Sequence, residues 1–377
     1  MRKSFQFKLF SNKRKNEKLN NELYIFCKIY NHCIALIKRY YQIFGKNPSK
    51  YNLQKHIKKL KDRGIKQEWR SLGYSQGVQD ITDRIYKSYQ AFFAWTKKRK
   101  GIRRAPPKFK PFRKYKSFTL KQTGWKLDQE KGLITIGKHK YRFNNSRKIE
   151  GDVKTVTIKR DNVGDWYVIF SCYLEETYKP QKTISMTGKS AGFDFGLTCF
   201  LTSSDNIKIE SPEVLKKSLT ELRVKNRKLS TKVKGSKNHR KARKTLARLH
   251  RKIANERKDF HFKLANNLIS KYDHLFFEDL NLNAMKLLWG RKVSDLGLSQ
   301  LLQIIEFKAQ EHGKIFHQID RFYPSSKTCN LCGEIKENLA LKNRVFECEC
   351  GYSCDRDLNA ALKYTSRRGI YGKARWS

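Results

Sequence analysis

The chain has 377 residues, of which 38% are hydrophobic and 12% aromatic, enough for a sizeable core and too apolar for a disordered polyelectrolyte. Lys and Arg number 83 against 34 Asp and Glu, a formal charge of +49, and self-repulsion on that scale calls for a polyanionic partner. No run supplies the roughly 18–20 apolar residues of a spanning helix and no signal-peptide pattern opens the sequence, so a cytoplasmic, nucleic-acid-bound protein is expected ahead of one on an anionic membrane.

The first ten residues alternate, with Phe5, Phe7 and Leu9 on one side and Ser4, Gln6 and Lys8 on the other, as in a half-buried strand. From Leu19 the period changes. Leu23, Phe26, Tyr30, Ile34, Ile37 and Tyr41 recur at helical steps, Ser49 is placed to cap a second helix carrying Leu53, Ile57 and Leu60, and Val78, Ile81, Ile85, Tyr89 and Phe92 mark a third. Residues 11–105 therefore read as a helical insert that ends in a basic linker. Within 97–118, KKRKGIRRAPPKFKPFRKYKSF, the residues Lys108, Phe109, Arg113 and Tyr115 combine charge with flat rings. That mixture suits phosphate gripping or base stacking, and equally a solvated linker whose rings dock on the neighbouring sheet. Period-two patterning then returns in Leu133–Ile136 and in the hairpin KTVTIKRD-NVGD-WYVIFSCY. The lone opening strand should join this module, giving a small β-barrel from 1–10 and 106–183.

The remainder reads as α/β. GFDFGLTCFLTSSD is strand, turn and strand; residues 211–271 are expected as two long basic helices broken near Lys234-Gly235-Ser236. DHLFFEDL is a buried strand, 295–312 an amphipathic helix and KIFHQID a further strand. The positive charge over 225–258 is either a solvated face or a nucleic-acid surface, and its density favours the latter.

Cys27, Cys33, Cys172 and Cys199 stand singly in apolar surroundings, as small core residues do. The other five of the nine crowd between Cys329 and Cys354. Cys329-Asn-Leu-Cys332-Gly333 and Cys348-Glu-Cys350-Gly351, fifteen residues apart, have the spacing of a zinc ribbon, with glycines that let the backbone turn beneath the sulfurs. One structural Zn²⁺ on Cys329, Cys332, Cys348 and Cys350 is expected, with Cys354 as an alternative fourth ligand.

Three acids stand out by context. Asp194 sits inside the apolar Gly192-Phe193-Asp194-Phe195-Gly196, Glu278 ends Leu275-Phe276-Phe277, and Asp357 lies in Asp355-Arg356-Asp357-Leu358-Asn359-Ala360-Ala361 where a helix begins. A carboxylate at the end of a buried strand is costly unless something pairs with it. Each acid alone could be a turn residue, a cap or a salt-bridge partner. Converging at one end of a sheet, the three could hold two Mg²⁺ about 4 Å apart for phosphodiester hydrolysis.

The segments FDFGL around Asp194, FFEDLN around Glu278, YPSSKTCNLCG and CECGYSCDRDLNAA together resemble the RuvC-type nuclease of TnpB. TnpB proteins are RNA-guided nucleases encoded by insertion sequences and related to compact type V CRISPR nucleases. The likeness runs over most of the chain, is specific in the C-terminal half and loose over the first hundred residues. It implies a mixed α and β fold: a wedge barrel with a helical recognition insert, then an RNase H-like (RuvC) domain at 184–325 and 355–377 interrupted by a zinc-binding insert at 326–354. It further implies that Asp194, Glu278 and Asp357 are the catalytic, Mg²⁺-holding acids. Asp357 is preferred to Asp355 because the family's third acid stands two residues before an asparagine, here Asn359. The partners so implied are a noncoding guide RNA copied from the transposon end and double-stranded target DNA, cut next to a short motif. The CxC in place of a second CxxC departs from the family's commoner pattern. A DDE-type transposase and a nuclease-inactive RNA-guided DNA binder are the alternatives; a zinc ribbon before the third acid speaks against the first, and retention of all three acids against the second.

Overall fold

Alternation at the start of the chain becomes the organising strand of a sheet. The computed structural model describes residues 1–10, 12–65, 67–70, 76–99, 103–175, 184–196, 199–320, 323–324, 326–336 and 343–366. The boundary assigned at 183, and 337–342 and 367–377 within the two C-terminal segments, lie outside them. Two compact units divide the chain, Met1–Tyr178 and Lys179–Ser377.

In the first unit, β1 (Arg2–Phe10) is followed by α1 (Lys13–Phe44), α2 (Lys50–Asp62), α3 (Gln67–Arg70) and α4 (Gln76–Lys98). Then come β2 (Ser117–Leu120), β3 (Trp125–Asp128), β4 (Leu133–Ile136), β5 (His139–Phe143), β6 (Asp152–Arg160) and β7 (Trp166–Tyr173). Asn12 caps α1 by accepting from the Lys15 amide, and Gly45, at φ 64°, ends it in the left-handed conformation that suits glycine. Ser49 caps α2 as its position in the sequence suggests. The strands form one antiparallel sheet in the order β2-β6-β7-β1-β5-β4-β3, so β1 does join the hairpin module. The sheet curls as a half-barrel and does not close, so the expected barrel is met in part: β2 and β3 are its two edges among the described strands. Phe5, Phe7 and Leu9 face a core shared with Leu23, Phe26 and Ile34 of α1, where Phe26 stacks on Phe118 at 4.8 Å. Each such side chain contributes about 1.5–3 kcal/mol on burial. The buried stripe of α1 ends at Ile37, and Tyr41 is exposed.

The second unit begins with β8 (Ser190–Asp194), β9 (Leu201–Ser203), β10 (Lys208–Ile209), α5 (Val214–Lys217), α6 (Leu219–Ser230) and α7 (Lys237–Lys271). It continues through β11 (His274–Glu278), α8 (Leu282–Leu296), α9 (Leu298–Glu311), β12 (Ile315–Ile319), β13 (Val345–Glu347), β14 (Ser353–Asp355) and α10 (Arg356–Ser366). The expected break falls between the 12-residue α6 and the 35-residue α7, which Ser236 caps, and a single turn, α5, precedes them. Helix α8 was not expected; Gly297, at φ 61°, separates it from α9. The five-stranded sheet has the order β10-β9-β8-β11-β12, with β8, β11 and β12 parallel and β9 antiparallel to β8. Its apolar side includes Phe193 and Phe277 stacked at 4.8 Å, packed with Leu264 and Leu268 of α7 and Leu301 and Ile305 of α9.

Candidate active site and metal centre

Parallel pairing of β8 with β11, in register at Phe193 and Phe277, brings Asp194 and Glu278 to the same end of adjacent central strands. The third acid arrives on α10. Asp357 lies in its first turn, and its Oδ2 would be 3.6 Å from a β-carbon at Gly196, just beyond Asp194. Helix α10 can approach this closely because its contact on β8 is a glycine. A β-carbon at Gly192 would lie 2.1 Å from the Ala361 carbonyl oxygen.

Asp194 and Glu278 differ from the paired acids of the same unit. Burial above all, then the charges of Asp357 and Glu278, push the Asp194 carboxyl well above the usual carboxylate range, against the Tyr364 hydrogen bond and the charge of Arg356. Glu278 is likewise raised, chiefly by burial. At the opposite end of β11, the buried Asp273 is fully matched. Its carboxylate pairs with Lys314 at 3.0 Å and accepts the amides of Thr187 and Gly188, so despite burial it is held below the usual range. Asp355 also has a structural place. It accepts the amides of Asp357 and Leu358 at the start of α10 and pairs with Lys208 at 2.7 Å.

The residue that sequence reasoning missed is Tyr364. Its hydroxyl lies 3.2 Å from Glu278 Oε2 and 3.4 Å from Asp194 Oδ1. A signal existed, since it follows Asp357 by seven residues and so falls on the same helical face.

The cysteines assemble as a second site. The Sγ atoms of Cys329, Cys332, Cys348 and Cys350 all lie within 4.8 Å of one another, with 3.7 Å between Cys329 and Cys350 and 3.5 Å between Cys332 and Cys348. Tetrahedral Zn²⁺ with bonds of about 2.3 Å sets sulfurs about 3.8 Å apart, so the donor set fits that ion. Gly333 at φ 81° and Gly351 at φ 85° turn the chain so that their amides reach the carbonyls of Cys329 and Cys348. Burial would raise the Cys329 thiol, but the amides of Cys332 and Leu331 and the neighbouring thiols hold it down at about 7. Cys354 stands outside the cluster, its thiol directed to the Asp355 carbonyl. Among the described residues this is the one set of three or more such ligand atoms so tightly gathered.

The cysteine site is tied to α10. Buried Asn359 donates to the Thr328 carbonyl at 2.8 Å and Lys363 to the Cys329 carbonyl at 2.9 Å. The backbone that carries the first knuckle thus anchors the helix that carries Asp357.

The basic linker is divided. Lys108 and Arg113 are exposed and Phe109 is 52% exposed, with the Lys38 ammonium 4.9 Å from its ring. Tyr115 is a correction: at 4% exposure it packs on Tyr30 at 5.8 Å, leaving no ring face for a base. No described helix is long and apolar enough to cross a membrane.

Matches to known proteins cover the segments that contain both sites. Residues 171–288 match the OrfB_IS605 family, described as "Probable transposase", and residues 299–364 match the "Cas12f1-like, TNB domain". The chain is 29% identical over 332 residues to a Streptomyces pristinaespiralis protein named "Putative RNA-guided DNA endonuclease", covering 84% of this chain and 79% of that protein. An Escherichia coli K12 protein, "Putative RNA-guided DNA endonuclease InsQ", is 29% identical over 313 residues, covering 78% and 74% respectively. The mimivirus TnpB-like protein L79 is 27% identical over 277 residues, 66% of this chain and 52% of that protein. Among solved structures, the Cas12f1–sgRNA–target DNA complex superposes with a TM-score of 0.55 at 16% identity, over 94% of this chain and 83% of that one, a likeness of fold alone.

Proposed function

We propose, from its membership of the TnpB family, that this chain is an RNA-guided DNA endonuclease that cuts double-stranded DNA beside a short motif in a single RuvC-type pocket. The observation that carries the reading is the meeting of Asp194 and Glu278 beneath one hydroxyl, with Asp357 brought alongside by α10. The five-strand order with one antiparallel member supports assigning 184–325 and 355–377 to an RNase H-like domain and 326–354 to its zinc-binding insert. Residues 1–10 and 106–183 then form the wedge and 11–105 the recognition insert.

The donor set fits hard divalent cations: oxygen ligands, half-buried, with like charge gathered around Asp194. Asp194, Glu278 and Asp357 would hold two Mg²⁺, which when bound supply activation of the attacking water and stabilisation of the leaving oxygen. The chain's own part is positioning. The strands fix two carboxylates, α10 fixes the third, and the basic surface grips phosphates. Such a pocket reads backbone geometry, so sequence must be read by pairing with a guide RNA, which we take to come from the transposon end. Lys108, Phe109 and Arg113 are proposed nucleic-acid contacts, and the setting is proposed to be cytoplasmic. The endonuclease names of the relatives do not favour a DDE transposase.

The test is to purify the chain with and without its neighbouring noncoding transcript and offer it matched and scrambled plasmids in Mg²⁺. Cutting of the matched plasmid, and only with the RNA, is the expected result. Equal cutting of both plasmids without RNA would mark a nonspecific nuclease, and strand joining a transposase.

For the four cysteines we propose one structural Zn²⁺. Elemental analysis should find about one zinc per chain, and Cys→Ser at any of the four should lower yield and melting temperature, because such zinc stabilises the fold directly. Zinc-free protein of normal stability would refute this, and loss of zinc in Cys354→Ser but not Cys350→Ser would reassign the fourth ligand.

A further inference from the structure

Tyr364 stands where a packing residue would suffice. Its side chain is fully buried in a small cluster with Phe276, Ile319 and Ala360, and a phenylalanine would fill that space. What phenylalanine lacks is the donor. The hydroxyl has one proton and two carboxylate oxygens within reach, Glu278 Oε2 at 3.2 Å and Asp194 Oδ1 at 3.4 Å. The hydroxyl thus stands within hydrogen-bond distance of both acids and can donate its proton to either. The ring is fully buried. It is packed in the cluster with Phe276 and Ile319.

We propose that Tyr364 is a positioning residue for the cation site: its O–H draws one oxygen of Asp194 and one of Glu278 to a fixed point, and so turns Oδ2 and Oε1 toward shared cations. The inference rests on the nuclease reading above and names a residue that acts through two of its ligands. Hydrogen-bonded partners of metal ligands typically affect metal affinity by about 10–100-fold.

The test compares Tyr364→Phe with the parent, as full-length chains. Mn²⁺ binding is followed by the electron paramagnetic resonance of the free ion, and guided cleavage is followed in the RNA complex as a function of Mn²⁺ concentration. We expect Mn²⁺ to bind about tenfold more weakly and the concentration for half-maximal cleavage to rise in step, with the rate largely restored at saturating Mn²⁺. Target DNA affinity and melting temperature should be unchanged. Tyr364→Leu, which removes the ring, calibrates packing by its lower melting temperature. Parent-like Mn²⁺ binding and metal dependence in Tyr364→Phe would overturn the proposal, as would a loss of rate that saturating Mn²⁺ does not restore or a fall in melting temperature equal to that of Tyr364→Leu. A parent chain that neither binds Mn²⁺ nor cuts a guided target would instead overturn the nuclease reading, and this inference with it.

Discussion

Replacing Asp194, Glu278 or Asp357 by alanine should lower guided cleavage by at least about a thousandfold, because ligands that act as one unit do not compensate for one another. Target binding should be largely kept, since recognition rests on the guide and on basic surface far more than on three carboxylates. Single-turnover cleavage and gel-shift affinity, measured on the same preparations, separate the two quantities. Asp355→Ala is the control. It removes a helix cap worth about 1 kcal/mol and the pair with Lys208, so it should retain appreciable activity. Stability supplies an independent sign. Burial first, then Asp357 and Glu278, raise the Asp194 carboxyl above its value in the unfolded chain, so the folded chain binds that proton more tightly. The group therefore adds stability below its unfolded pKa, and that contribution is lost as pH rises through the folded one. At neutral pH without divalent cations, Asp194→Asn should melt no lower than the parent, whereas loss of an ordinary buried, paired acid would lower it. Near-parent cutting by any of the three alanine variants would remove that residue from the active site.

Asp194 and Glu278 stood out because each breaks a local rule. A carboxylate in Gly-Phe-Asp-Phe-Gly or after Leu-Phe-Phe is an anomaly that a single sequence displays. Asp273 and Lys314 show the opposite case. They form a buried pair, yet in sequence they look like any surface charges, because their matching depends on which strands become neighbours. Strand alternation likewise revealed the inward faces of β1 and β7 but not whether the sheet would close, since closure depends on how β2 and β3 meet and not on which side chains point inward. Tyr115 was misread for a related reason. Basic-aromatic interleaving looks the same for a linker on nucleic acid and for one docked on its own core, and here Tyr30 receives the ring. The cysteine spacing carried over to space more directly, because thiolates spaced this way along two short turns have few ways to meet. The tie from that site to α10 was hidden, since it runs through the Thr328 and Cys329 carbonyls, and backbone atoms leave no mark in a sequence.

Gly192→Ala should be the most damaging substitution that touches no charge. Gly192 lies on β8, two residues before Asp194, where α10 crosses. The added carbon would stand 2.1 Å from the Ala361 carbonyl oxygen and 2.9 Å from Tyr364 Cβ. Neither atom is the free end of a side chain that could swing aside. The helix itself must move, and Ala361→Gly should not rescue, because the obstructing atom belongs to the main chain. Overpacking of this kind costs about 1–3 kcal/mol, which for a unit of this size lowers melting by roughly 2–4 °C per kcal/mol. The functional loss should be larger. Helix α10 carries both Asp357 and Tyr364, so one displacement moves the third carboxylate and the shared donor away from Asp194 and Glu278 together. A misplacement of about 1 Å at reacting groups can cost a hundredfold, and a loss of that order in single-turnover cleavage is expected while guide and target binding persist. The anchors from α10 to Thr328 and Cys329 resist the shift, so the strain should also reach the cysteine site and weaken zinc retention against a chelator. A Gly192→Ala chain that melts, holds zinc and cuts like the parent would show that the helix is not held against the strand in the way the site requires.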